Sequence, residues 1–166
     1  MSKRILLIRH AKSDWNSNQS DFERTLNARG QSAAAEMANR LSESNIVPKH
    51  LISSPAKRAI TTAGYFAEIM DLPAYKIQQE ESIYEASPQT LLSIINTKID
   101  SALDFVALVG HNPGLSLLAT SLCDYVFDIP TCGMVLIEFP FDDWKMVSSG
   151  TGHSKFFDYP KNTDNG

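Results

Sequence analysis

An α/β fold, with a mostly parallel central sheet and helices on both faces, is what this 166-residue sequence predicts. Three observations point there. Ile5 to Ile8 and Asp104 to Val109 are short, nearly continuous apolar runs bounded by polar residues, as expected of strands buried on both faces of a parallel sheet. Strand-like and helix-like segments alternate between and around them. Each apolar run also leads into a histidine, His10 and His111, at the strand end where open α/β sheets bind their ligands.

The length fits one domain with a sizeable core, a single unit over 1–166 with a flexible tail from about 160. Hydrophobic residues at 43% and charged residues at 20% are ordinary for a soluble globular chain. The net charge of −4 gives no global drive toward nucleic acid or an anionic membrane, but leaves room for a local basic pocket. Cys123 and Cys132 have no metal-type spacing, and a reducing compartment is the simpler reading. The apolar run after Lys3 and Arg4 is too short for a signal peptide, and no segment is long enough to span a bilayer. A cytoplasmic monomer that binds neither nucleic acid nor membrane is the expectation.

In chain order, a first strand around Ile5–Ile8 runs into Arg9 and His10. Lys12 to Glu23 reads as a polar loop. Thr25 is the expected N-cap of a helix to about Ser42, with Gly30 weakening its first turns. His50 to Ser53 reads as a short strand. Ser54 as N-cap and Pro55 as first helical residue would open a second helix to about Met70, placing Arg58 in or just after its first turn. A cation there does nothing for the helix dipole, so Arg58 is either a solvated surface residue or an anion ligand. Tyr75 to Gln79 could form a strand. Ser87 and Pro88 repeat the capping pattern for a helix to about Lys98. After the strand ending at Val109, Asn112 would cap and Pro113 start a helix to about Cys123. Gly133 to Phe139 and Trp144 to Val147, around Pro140–Asp143, read as a C-terminal hairpin, and His153 to Tyr159 as a last strand or surface segment.

Arg9, His10, Arg58 and His111 make a chemical set. Guanidinium forks and helix-end N–H groups suit a phosphate dianion. An imidazole that is neutral near physiological pH can attack phosphorus without a separate base. A second imidazole can donate to oxygens that gather charge in the transition state. Each residue also has a plainer reading: Arg9 paired with a loop carboxylate, His111 bonded to backbone, Arg58 on the surface. A metal site on His10 and His111 lacks supporting spacing. His50 and His153 read as surface residues.

Three segments carry a resemblance. Arg9-His10-Ala11-Lys12-Ser13, the stretch from Ser53 through Arg58 to Ala63, and Val109-Gly110-His111-Asn112-Pro113-Gly114 resemble the three motifs of the histidine phosphatase superfamily, the phosphoglycerate mutase-like group. The short length and the Ile83-Tyr84-Glu85-Ala86-Ser87 phrase look most like its small SixA-type phosphohistidine phosphatases. The resemblance runs from Lys3 to about Phe139. It implies a three-layer α/β/α fold of phosphoglycerate mutase type and a metal-independent phosphatase without cofactor. It implies His10 as the phosphorylated nucleophile, Arg9 and Arg58 as holders of the phosphoryl group, and His111 completing the pocket. Ala11 departs from the usual Gly after the histidine, which matters only if that position needs a positive φ.

For the general acid, Glu85 is the best positional match, with Asp14 and Glu81 as further candidates and a helix-dipole role for Glu85 as the alternative. A phosphate monoester needs a proton donor for its alkoxide, whereas a phosphoramidate leaves readily once its nitrogen is protonated. Lys12, Ser13, Asp14 and Trp15 would line one wall, with Lys12 and Ser13 toward the substrate and Trp15 stacking on a ring or packing in the core. Little chain is left to build a lid, so an open pocket for a phosphorylated protein is expected. A small phosphorylated metabolite or nucleotide as substrate, or a phosphate-recognition module without turnover, are the alternatives.

Overall fold

The structure, a computed structural model, describes residues 2–15, 18–124 and 127–160; most of the expected tail beyond 160 lies outside them. Six strands form one sheet in the order β3-β2-β4-β1-β5-β6. They are β1 (Lys3–Arg9), β2 (His50–Ser53), β3 (Ile77–Gln79), β4 (Phe105–Gly110), β5 (Met134–Phe139) and β6 (His153–Asp158). β3, β2, β4 and β1 run parallel, and β5 lies antiparallel to both β1 and β6. Strands of the parallel block alternate with α1 (Ala28–Glu43), α2 (Lys57–Ile69) and α3 (Pro88–Lys98), and α4 (Gly114–Cys123) follows β4.

β1 shows why the sheet has two covered faces. Ile5, Leu6, Leu7 and Ile8 are all fully buried, but successive side chains leave a strand on opposite faces. Ile5 and Leu7 join Leu91, Ile94 and Ile95 of α3 and Leu115, Leu118 and Leu122 of α4. Leu6 and Ile8 join Met37, Ala38 and Leu41 of α1 and Ala63 and Phe66 of α2. A continuous apolar run is therefore needed, and a three-layer α/β/α single domain results. No described helix is long and apolar enough to cross a membrane.

Several expected boundaries move. α1 starts at Ala28, with Asn27 rather than Thr25 as its cap, the Asn27 side chain accepting from Gly30 N–H. Gly30 is explained by contact: a Cβ there would lie 2.0 Å from the Lys12 carbonyl oxygen, so the helix start packs on the loop that follows β1. α2 starts at Lys57, two residues after Pro55, because Ser54 and Pro55 belong to the strand-to-helix turn, where Ser54 Oγ accepts only from Ala56 N–H at 3.2 Å. The expected strand over Tyr75–Gln79 is a 3₁₀ turn, Ala74–Lys76, followed by the three-residue β3. α3 and its Ser87 cap agree with expectation. In α4, Asn112 caps through its side chain, which accepts from Ser116 N–H, although the helix itself begins at Gly114. The C-terminal hairpin exists with a different second arm. Trp144–Met146 is a 3₁₀ turn, and the strand paired with β5 is β6.

Candidate active site

β1 and β4 are parallel neighbours with Arg9 opposite Gly110, so the residues that follow, His10 and His111, emerge side by side at the carboxyl edge of the sheet. Their ring centroids are 5.1 Å apart. Around them opens a cleft of about 350 Å³ lined by Arg9, His10, Lys12, Ser13, Arg58, Glu85 and His111 among the expected site residues. A larger cavity of about 780 Å³ lies against α1 and shares only Lys12 and Thr131 with this cleft; none of the imidazoles or Arg9 and Arg58 faces it.

His10 is 7% exposed. Its Nδ1 lies 2.8 Å from the Ala11 carbonyl oxygen, which can only accept. The proton is thereby assigned to Nδ1, and Nε2 keeps its lone pair. Arg58 Nε–H donates to that Nε2 at 3.3 Å. Burial first, and then the charges of His111, Arg58 and Arg9, push the His10 pKa down to about 3, against a raising effect of the Ala11 carbonyl. His111 is pushed down to about 4, chiefly by burial and then by Arg58. Both rings are neutral at physiological pH.

His111 Nε2 lies 2.8 Å from Ser54 Oγ, while its Nδ1 is buried with no protein partner. Since Ser54 Oγ already accepts from Ala56 N–H, its own proton is free for His111 Nε2. With the Ser54 proton given to Nε2, the His111 proton lies on Nδ1 as an unused donor; in the other tautomer Nδ1 is an unused acceptor. Arg9 is similar. Its Nη1 donates to the Ile129 carbonyl at 3.0 Å, while its buried Nε has no partner, and burial holds its pKa below the ordinary value. Buried polar groups are nearly always satisfied within a protein, so two orphans on residues that line the same cleft as His10 indicate a polar ligand.

Ala11 is fully buried, its N–H donates to Thr62 Oγ1 at 3.0 Å, and it does not adopt a positive φ. The alanine therefore costs the site nothing. Glu85 lies at the rim, exposed, with φ of 58°. Its loop is held by close packing at the start of α4, where a Cβ on Gly114 would come within 2.3 Å of the Ala86 carbonyl oxygen. Asp14 and Glu81 do not line the cleft. Trp15 is not in the core: it is 76% exposed, with the Arg24 guanidinium 3.5 Å from its ring centre. Ser13 Oγ already accepts from Arg24, which fills one of its two acceptor sites. His50 and His153 lie away from the cleft.

Sequence reasoning missed Asp21, Arg24 and Tyr84. Asp21 Oδ2 accepts from Arg58 Nη2 at 3.2 Å and from the Tyr84 hydroxyl, and Oδ1 accepts from Arg24 Nε at 3.2 Å. The Tyr84 hydrogen bond, with smaller help from Arg24 and Arg58, holds the Asp21 pKa down at about 2. Tyr84 stands edge-on to His111, with centroids 5.7 Å apart. The acid–arginine spacing Asp21/Arg24 was the one signal available. Among the described residues no group of three or more His, Cys, Asp or Glu side chains could hold a metal ion.

A doubly covered α/β sheet with paired imidazoles and guanidiniums at one strand edge defines a phosphoryl-handling enzyme as the class. The model of the histidine phosphatase superfamily, branch 1, matches residues 5–91, and the chain belongs to that family; it is a phosphatase, and its fold is similar to that of SixA-type structures. The candidate phosphohistidine phosphatase SixA of Agrobacterium tumefaciens is 25% identical and superposes with a TM-score of 0.80, over 95% of this chain and 98% of that one. The protein histidine phosphatase SixA in complex with tungstate, at 18% identity, has the same fold with a TM-score of 0.81, over 95% and 97% of the two chains. Among curated proteins, an uncharacterized chloroplastic protein of Arabidopsis thaliana is 28% identical over 160 residues, 92% of this chain and 73% of that one.

Proposed function

We propose that this phosphatase hydrolyses a phosphohistidine carried by a protein, in two steps and without a metal ion. The observation that carries the reading is the bonding of His10. Nδ1–H is tied to the Ala11 carbonyl, so Nε2 faces the cleft with a lone pair and an arginine N–H beside it. In the first step that lone pair attacks phosphorus and the phosphorus–nitrogen bond of the substrate breaks. The departing imidazole nitrogen takes a proton from solvent or from Glu85. In the second step water attacks the phosphoryl group on His10, inorganic phosphate leaves, and His10 is restored. Arg9, Arg58 and the unpartnered His111 Nδ1–H hold the three phosphoryl oxygens, supplying in fixed donors the charge stabilisation that a metal supplies elsewhere.

A protein as substrate is supported by the rim. Trp15, 76% exposed, and Tyr84 line the cleft, and Phe22, 36% exposed, packs edge-on to Tyr84. Between Arg58 and β4 the chain forms only the rest of α2, two 3₁₀ turns, the short β3 and α3. The names of the SixA-type structures fit the same class.

The test is to incubate the wild-type chain and His10→Ala with a small phosphoramidate, quench, and search by mass spectrometry for an acid-labile phosphoryl group. The expected result is an adduct on the His10 peptide in wild type alone, with turnover lost in the variant. Turnover retained in His10→Ala overturns the mechanism. Phosphate binding with no turnover on any phosphoramidate or monoester would make the chain a recognition module.

A further inference from the structure

Arg58 has five N–H groups and a planar head, and it can serve a phosphoryl group at His10 only if that head is turned the right way. What turns it is not on either strand end. Arg58 Nη1 donates to the Asp21 backbone carbonyl at 2.6 Å and Nη2 to Asp21 Oδ2 at 3.2 Å, while Nε–H points at His10 Nε2. Both outer nitrogens of the fork therefore rest on one residue, which lies between β1 and α1 in sequence. The other Asp21 oxygen takes Arg24 Nε at 3.2 Å and Nη2 at 3.1 Å, and the Tyr84 hydroxyl also donates to Oδ2. Tyr84 in turn stands against His111.

We propose that Asp21 is a positioning residue of the phosphoryl site, its carboxylate gripping the outer edge of Arg58 so that the inner edge faces His10. This rests on the reading of the cleft as a phosphoryl site. Asp21 touches neither the nucleophile nor the expected position of phosphorus, so it acts through Arg58 and Tyr84. Its side chain is 46% exposed, and an ion pair so exposed adds little to stability. The contribution lies in geometry: a guanidinium held at both Nη atoms has one plane, whereas a released arginine samples many.

Charge and geometry make opposite forecasts here. As a negative charge beside an anion site, Asp21 repels a phosphoryl dianion, so its neutralisation by itself would tighten phosphate binding. As a grip on Arg58, its loss would weaken binding. The experiment measures inorganic phosphate binding by calorimetry, and kcat and KM on a small phosphoramidate, for the wild-type chain, Asp21→Asn and Tyr84→Phe. For Asp21→Asn, phosphate binding weaker by at least about tenfold is expected, the scale of a lost charge-assisted hydrogen bond, with kcat/KM falling in step. For Tyr84→Phe, which removes one of the groups that steady the carboxylate, a smaller loss in the same direction is expected. A merely structural role would lower the melting temperature and leave the phosphate affinity of folded protein unchanged.

Phosphate bound by Asp21→Asn as tightly as by wild type, or more tightly, overturns the proposal. Should Asp21→Asn fail to fold, unchanged phosphate affinity in Tyr84→Phe overturns it instead. If the wild-type chain itself binds no phosphate, the reading of the cleft falls, and this inference with it.

Discussion

β1 carries a cation at each end, and the two are treated in opposite ways. Lys3, at the amino end, is 2% exposed and fully provided for: its ammonium donates to the Ser101 and Leu103 carbonyls, both at 2.9 Å, and lies 3.4 Å from Asp142. Arg9, six residues on, has among the described residues one hydrogen bond, to Ile129, and a buried Nε with none, with Asp128 acting on it only through charge. Neighbouring His111 Nδ1 is likewise without a partner. The same strand thus ends once in a closed polar knot that ties down the loop after α3, and once in an open one. A satisfied buried cation holds structure together; a cation with a buried, unsatisfied N–H is suited to a ligand that the proposed function supplies. The folding cost of leaving donors unpaired at the carboxyl end is offset by the apolar strand between the two ends.

The sharpest way to break that contrast is to truncate each cation. Arg9→Ala should lower kcat/KM by about 10³-fold, the upper range for loss of one transition-state donor. It should barely move the melting temperature, because the Ile129 carbonyl keeps its bond from Asn112 Nδ2 at 2.9 Å. A variant with a clearly lowered melting temperature but unchanged kcat/KM at temperatures where it is folded would show Arg9 to be structural after all. Glu85→Gln sharpens the same end by substrate. If Glu85 protonates the leaving group, turnover of phosphate monoesters should drop about 10²-fold, while a phosphoramidate, whose nitrogen is more easily protonated, should lose far less. Equal losses on both substrates would remove Glu85 from the role of acid.

How much of this was legible follows the same division. The strand ends could be read because a buried parallel strand leaves an apolar run that stops abruptly, and Arg9, His10 and His111 stand at those stops. Arg58 was legible through the motif around it, though the assumed reason, a Ser54 cap, was mistaken: the Ser54 hydroxyl faces His111, and capping was inferred from residue type alone. Asp21, Arg24 and Tyr84 were not legible. They sit in loops where neither the helical nor the strand period applies; the contacts of Asp21 with Arg58 and Tyr84 span 37 and 63 residues, distances a local pattern cannot encode, and Arg24 offered only its spacing of three from Asp21. The start of α1 was missed for a related reason, since Gly30 answers to the Lys12 backbone and not to helix propensity. The partner of β5 was missed because Trp144 looks like a strand residue, whereas its indole N–H is needed by the Leu103 carbonyl, at 2.8 Å.

Lys3→Met is the complement to Arg9→Ala. It should cost about 1–3 kcal/mol of stability, the usual range for leaving a buried carbonyl unpaired. The orphan is Ser101, since the Leu103 carbonyl keeps its bond from Trp144. Urea denaturation measures the loss, and kinetics on folded protein should be unchanged. A fall in kcat with stability intact would mean that the closed end communicates with the cleft.

A last effect concerns acid, and it grows as the pH falls. His10 and His111 have folded-state pKa values pushed down to about 3 and about 4, mainly by burial and then by the surrounding cations. In the unfolded chain both imidazoles titrate near 6.5, so between that value and their folded values the unfolded state binds more protons. Stability from these two groups is therefore fully present above about pH 6.5 and is lost progressively as pH falls toward 4 and then 3. Imidazole resonances of the folded wild-type chain should still report neutral rings at pH 5. Urea midpoints should decline between pH 6.5 and 5, and less steeply in His111→Asn, which has one such group fewer. Saturating inorganic phosphate should raise both titrations, because an anion beside an imidazole favours its charged form. Rings that titrate near 6.5 without ligand would mean that water reaches the open end of β1 freely. The unpaired donors there would then be solvated, and the contrast with Lys3 would lose its physical basis.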